Sequence, residues 1–419
     1  MKKLIFTILC LFITISFVNA KEYCEVVSGN GKDIGSEIAC GDEHFYVIEN
    51  DGTNIKMLAK YNLYVGTEVN QVGPLYDSTY SAQDACDALE GYTETAVWPS
   101  LSEPGKYYCH TEKELEYDEV KQSSEAVGLT MKDGNFVIRQ VGIVYMPDNY
   151  DDDSLDSNNN IDLRYTEIQD YLDDYKDNLI DKGYAVKNID LIRLSGFQEL
   201  IAEVSNEEID FGVKPDTALG YDTTVWEEIN YLELLHINLN DYIPKEYSWI
   251  KSTTYWLGSG LQGTDDATFF DIFMTTLGDL CAINRGCSTV TKFGAGVRPV
   301  VTIAASDLRF VIQTKTDSHG TIKVSQDTSA AGDEITFEII PDKGYVLSEV
   351  KVTDAAGNVV KFKDYKFTMP DANVLIEVTF IPDNPNTGSF IKIAAIALFL
   401  VSAAVYVIAS TRSNKLYKL

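Results

Sequence analysis

The acidic stretch Asp148–Asp162 holds the residues best suited to gripping a cation. Asp156, Asn158, Asn160 and Glu167 fall at positions 1, 3, 5 and 12 of a calcium loop, and Leu163 supplies the apolar position 8. Oxygen donors at such positions converge on one hard ion when the loop turns sharply. Ile161 stands where that turn calls for glycine. The spacing leaves two readings open: a solvated acidic loop capping the helix that follows, with no cofactor, or a calcium site.

Cysteine and histidine offer less. Cys10 lies in an apolar leader, which leaves Cys24, Cys40, Cys86, Cys109, Cys281 and Cys287. An even set in an exported chain predicts disulfides, and pairing nearest neighbours gives Cys24–Cys40, Cys86–Cys109 and Cys281–Cys287. No C-x-x-C or cysteine–histidine cluster has zinc spacing. His44, His110, His236 and His319 are scattered, without the neighbourhood of a catalytic triad. Gly258-Ser259-Gly260 lacks the frame of a nucleophile elbow, and Gly29-Asn30-Gly31 precedes no helix that would make it a phosphate loop. For ligand contact the candidates are the aromatic faces of Tyr255 and Trp256, weighed against a place for both in the core.

These residues need elements to hold them. Residues 44–63 read as a hairpin around Asn50-Asp51-Gly52-Thr53, and residues 127–146 repeat the logic around Asp133-Gly134. Residues 66–125 read as a loop-rich insert within a core spanning 42–308. A helix is expected over about Thr166 to Lys182, because Ile168, Leu172, Tyr175 and Leu179 form one apolar stripe. Thr166 and Gln169 suit a capping box and Gly183 a stop. A second helix is expected from Ser195, carrying Phe197, Leu200, Ile201 and Val204, and a third over 226–236. Alternation at Ile335, Phe337 and Ile339, and at Val374, Ile376, Val378 and Phe380, predicts strands with one buried face in a separate unit.

Three stretches resemble landmarks of the C-type-lectin-like fold shared with formylglycine-generating enzymes: Ile192-Arg193-Leu194-Ser195, the run Ser248 to Ser259, and Gly296-Val297-Arg298-Pro299 through Ile303. The stretch 42–308 looks like the uncharacterised modules of this fold found on Firmicutes surface proteins. The resemblance implies an α+β ectodomain at 21–308. It also raises an oxidase of the formylglycine-generating type, which would use paired cysteines, but the surroundings of Cys281 and Cys287 do not match that motif. The sugar-binding runs of calcium-dependent lectins are missing as well. Residues 309–382, from Gly344-Tyr345-Val346-Leu347 through Phe367-Thr368-Met369-Pro370, resemble the bacterial repeat domain related to internalin B-repeats. That resemblance implies a small all-β sandwich used as a stalk.

The two ends supply an address. Lys2-Lys3, the apolar run Leu4–Val18 and Ala20 read as a signal peptide over residues 1–20. Residues 383–419 combine a short motif, an apolar run and a basic tail. Ile393 to Ala409 is uncharged and would span about 26 Å as a helix. With its flanks it predicts a C-terminal transmembrane helix over 390–410, followed by Arg412, Lys415 and Lys418 on the cytoplasmic side. Just before it, Asn384-Pro385-Asn386-Thr387-Gly388 resembles a sortase sorting signal of Gram-positive bacteria, with Asn384 in place of the usual leucine. That resemblance implies attack at the Thr387 carbonyl, loss of the Gly388 side and linkage to the cell wall.

Of 419 residues, 45% are hydrophobic and 23% charged, a globular composition. The net charge is −30, and the cations Lys2, Lys3, Lys392, Arg412, Lys415 and Lys418 all sit at the ends, so the body between them is strongly acidic. Such a body repels nucleic acid. The expected protein is an exported, surface-anchored, non-enzymatic binding module of adhesin type. Its partners would be sortase, the cell wall, an extracellular glycan or protein, and the membrane through its last helix. The alternatives are the oxidase and a purely structural surface component.

Overall fold

The computed structural model describes residues 21–29, 31–90, 94–99, 104–126, 137–145, 167–209, 236–262, 269–274, 279–282 and 294–383. The chain divides into two compact units. The first holds residues up to Val311 with the short returns Thr328–Ala331 and Asp371–Asn373, and the second holds the remainder.

In the first unit one sheet runs in the order β16, β1, β2, β3, β4, β15, β9. Its strands are β1 (Cys24–Ser28), β2 (Glu37–Cys40), β3 (Glu43–Asn50), β4 (Asn54–Ala59), β9 (Val186–Leu191), β15 (Pro299–Ala304) and the start of β16 (Leu308–Thr316). The β3–β4 hairpin forms where its turn residues demand. Gly52 takes a φ of 84°, which costs a glycine nothing. Asp51 accepts from the main-chain N–H of Thr53 and Asn54 at 2.7 and 2.6 Å. Those bonds, with that of the Asn54 side chain, hold its carboxyl down at about 2.

A second sheet runs β10 (His236–Asn238), β13 (Asp279–Ala282), β12 (Phe269–Met274), β11 (Tyr255–Gln262), β14 (Gly294–Gly296), β8 (Val137–Tyr145), β5 (Thr67–Tyr76), β7 (Tyr107–Glu114), β6 (Glu94–Pro99). Helix α1 (Thr79–Asp87) joins β5 to β6, capped by Ser78 accepting from the Ser81 N–H. Helix α2 (Glu167–Asp181) buries Ile168, Leu172, Tyr175 and Leu179, the stripe expected of it. It ends at Gly183, φ 98°, with Tyr184 N–H reaching back to the Leu179 carbonyl. Helix α3 (Leu194–Ser205) buries Leu194, Phe197, Leu200, Ile201 and Val204. Each contributes about 2 kcal/mol by leaving water. Its N-cap is Arg193 rather than a residue bonding through its side chain.

The expected fold class needs correction. Sheet dominates the described residues, so the α+β, C-type-lectin-like architecture gives way to a largely β one. The region 66–125, expected to be loop-rich, supplies β5, α1, β6 and β7. Its strands were hidden because β7 buries Cys109, His110, Thr111 and Glu112 in succession, on both faces and with polar side chains at three of them, so no apolar alternation shows. The third helix expected over 226–236 falls outside the described residues except at His236, which opens a strand. The turn expected at Asp133-Gly134 also lies outside them. No helix among the described residues is long and apolar enough to cross a membrane, against the expected C-terminal transmembrane helix. Residues 390–410 themselves lie outside the described residues, as do 1–20.

The second unit has two small sheets. One pairs β20 (Tyr345–Asp354) with β22 (Val374–Pro382), and β22 in parallel with Ile312–Thr316 of β16. The other orders β17 (Gly320–Val324), β19 (Glu334–Pro341) and β21 (Lys366–Thr368). The alternation along β22 buries Val374, Ile376, Val378 and Phe380. The small strand β18 (Thr328–Ser329) belongs to the first unit, where it pairs with the start of β16.

Candidate functional site

A cleft of about 1050 Å³ opens on the first unit, within the size range of ligand sites. Cross-strand register builds its floor. Glu49 of β3 stands opposite Lys56 of β4, Lys56 opposite Thr302 of β15, and Thr302 opposite Asn188 of β9. Directly opposed residues share a face, so these four form one polar row. The next row on that face is Tyr46, Leu58, Val300 and Asp190. Helix α3 packs on this second row through Phe197, Leu200, Ile201 and Val204. The polar row is left uncovered at the helix edge. There α3 presents Gly196, Glu199 and Glu203, spaced at one helical face. The segment Lys32–Ile34 and Tyr247 form the opposite wall.

The charges in this cleft are unevenly matched. Lys32 Nζ pairs with Asp371 at 2.9 Å, Lys56 Nζ with Glu49 at 2.6 Å, and Arg193 with Asp190 at 3.6 Å. Burial pushes the Asp190 carboxyl up, and the Arg193 charge offsets part of that rise. Asp33, Glu199 and Glu203 are exposed and form no ion pair among the described residues. Ile34 and Tyr247, both partly exposed, supply apolar surface among the polar groups, while Ile48, Leu200 and Val300 at the base are buried. Among the described residues the lining contains no histidine or cysteine. It can hold a ligand by hydrogen bonds, charge and apolar contact.

The frame under the cleft is fixed by buried polar ties. Arg298 is wholly buried and donates to main-chain carbonyls of Ala59 at 2.6 Å, Ile250 at 3.1 Å and Trp249 at 3.0 Å. Burial lowers its pKa, opposed by Tyr255 and Tyr46. Beside the cleft, Glu37 accepts from both Lys60 and His44 at 2.8 Å. Burial raises the Glu37 carboxyl, but those two bonds outweigh it and hold it below its usual range. On the far face, Tyr175 donates to Glu43 at 2.6 Å and Gln122 N–H to the same oxygen at 2.9 Å.

The residues expected from sequence do not gather here. Tyr255 and Trp256 are both wholly buried, so neither ring faces a ligand. Trp256 donates its indole N–H to Val144 O at 2.8 Å, and Tyr255 its hydroxyl to Ile250 O at 2.9 Å. Both serve the core. Glu167 is the exposed first residue of α2, while Asp156, Asn158 and Asn160 lie outside the described residues. Among the described residues no cluster is arranged to hold a metal ion. Asn384, Pro385, Thr387 and Gly388 also lie outside. Cys24–Cys40 and Cys86–Cys109 are disulfide-bonded. Cys281 sits on β13 opposite His236 of β10, and its expected partner Cys287 lies outside the described residues.

Comparison with known proteins places one part of the chain. Residues 310–384 match the model of the divergent InlB B-repeat domain. That stretch carries a bacterial repeat domain. It corresponds to most of the second unit and leaves most of the cleft-bearing unit outside the match; residues 310–311, 328–331 and 371–373 of that unit fall inside it. Neither the curated proteins nor the solved structures gave a match.

Proposed function

We propose that this chain is an exported surface protein that binds an extracellular glycan or protein in the cleft beside α3 and catalyses no reaction on it. The observation that carries this reading is the uncovered polar row Glu49, Lys56, Thr302 and Asn188, flanked by unpaired carboxylates on a braced sheet. A core sheet that carries a row of hydrogen-bonding groups beside apolar patches suits reversible recognition. The acidic body, the leader over residues 1–20 and the disulfides all suit an oxidising exterior. The repeat domain then serves as a spacer on the C-terminal side. The motif Asn384-Pro385-Asn386-Thr387-Gly388 supplies a site for sortase and hence for linkage to the cell wall.

Gly196 gives the test. A Cβ placed there meets nothing within 4 Å, and the position lines the cleft, so a bulky residue should project into it. The full chain, wild type and Gly196→Trp, is applied to glycan and protein arrays. Selective hits that the tryptophan abolishes, at unchanged melting temperature, support the reading. Hits that the tryptophan leaves intact place the ligand elsewhere and refute it. For the wall linkage, Thr387→Ala should convert a detergent-resistant surface protein into an extractable one.

A further inference from the structure

We infer that the cleft takes an extended protein segment with basic residues at alternate positions. This rests on the cleft being the ligand site. The argument starts from which charges are already satisfied. Lys32, Lys56 and Arg193 each face a carboxylate of the protein itself. Glu199 and Glu203 on one wall and Asp33 on the other face no cation among the described residues. An anionic ligand would have to displace existing ion pairs and approach three carboxylates. A cationic one completes the pairing.

The lining narrows the class further. A bare metal ion would gain nothing from the partly exposed Ile34 and Tyr247. Lysine and arginine side chains combine an apolar stem with a charged head, so the stem lies along those residues while the head reaches a carboxylate. Spacing favours a peptide over a flexible amine. Glu199 and Glu203 are four apart on α3, about 6 Å between Cβ atoms. Alternate side chains on one face of an extended peptide repeat about every 6.6 Å. Two basic residues separated by one residue therefore meet the two glutamates together. The Asn188 and Thr302 side chains remain on the floor to bond the peptide backbone.

The test uses the full chain and two blocked peptides, acetyl-Lys-Ala-Lys-Ala-Lys-amide and its glutamine counterpart, in low-salt calorimetry. The lysine peptide should bind and the glutamine peptide should not. The double variant Glu199→Gln/Glu203→Gln should weaken binding about tenfold. Glu207→Gln/Glu208→Gln, exposed just beyond the end of α3 and outside the cleft, should change it by less than about twofold. Equal weakening by both double variants means diffuse attraction to an acidic surface and overturns the inference. So does a wild-type protein that ignores the lysine peptide while Gly196→Trp abolishes its array hits; the cleft then stands with another ligand. If Gly196→Trp alters neither array nor peptide binding, the cleft reading itself falls.

Discussion

The guanidinium of Arg298 stands over the ring of Tyr255, 4.9 Å from its centroid, with both side chains wholly buried. Among the described residues no carboxylate pairs with this arginine; its hydrogen-bonding load is main-chain carbonyl. It joins the end of β4 to the turn Lys245–Lys251 that carries Trp249 and Ile250. Arg298→Met should cost about 3 kcal/mol, because several buried carbonyls lose their donors at once. Arg298→Lys should recover less than half, since one ammonium cannot reproduce a planar fork. Urea midpoints measure both. Wild-type stability in Arg298→Met would show that the carbonyls find other donors.

Gly296 lies against Asn62, and a Cβ there would collide with the Asn62 side-chain amide. That amide donates to Thr254 O at 3.0 Å and accepts from the Thr253 hydroxyl at 3.0 Å. Gly296→Ala should therefore destabilise by about 2 kcal/mol. Adding Asn62→Ala should cost less than the two single effects combined, because the clash disappears with the amide. Simple additivity in thermal melts would contradict this.

Glu43 gives a pH signature. Burial raises its carboxyl above the usual 4.5, with the bonds from Tyr175 and Gln122 only partly offsetting. The folded state then holds its proton more tightly than the unfolded one. This contribution to stability is full below pH 4.5 and is lost as pH rises through the folded value. Glu43→Gln, neutral at every pH, should gain stability relative to wild type as pH rises from 4.5 through the folded value. Glu37 has the opposite sign: its lowered carboxyl stabilises above 4.5 and loses that contribution in acid. Chemical unfolding across pH separates the two. A constant difference between Glu43→Gln and wild type would mean that Glu43 is not shifted.

The Cys86–Cys109 bridge ties α1 to β7 across 23 residues. Closing a loop of that length in the unfolded chain is worth about 3 kcal/mol. Cys86→Ala/Cys109→Ala should accordingly melt earlier, and limited proteolysis should cut first near α1 and β6. Unchanged cutting would show that β5, β6 and β7 hold without the bridge.

What the sequence revealed depended on whether the signal was local. The β3–β4 turn carries its own instructions in Asp51 and Gly52, and α2 displays its buried stripe at helical spacing. Nearest-neighbour pairing sufficed for two disulfides because each closes a short loop. The strands β5 to β7 escaped notice because polar residues occupy buried positions, as at His110 and Thr111. Tyr255 and Trp256 suited ligand contact by type, but their polar atoms are spent on main-chain carbonyls within the core. The cleft had no local signature at all. Its floor joins residues 49, 56, 188 and 302, which only the strand register brings together.

In the second unit, Ile312–Thr316 near its start lies parallel to Val374–Val378 near its end. Lys315 also pairs with Glu377 across the two strands at 2.9 Å. Tension applied to the ends of this unit pulls parallel strands in opposite directions along their length. The rungs between them are loaded in shear and must yield together, whereas an antiparallel terminal pair would open one rung at a time. A unit wired this way resists being stretched from its ends.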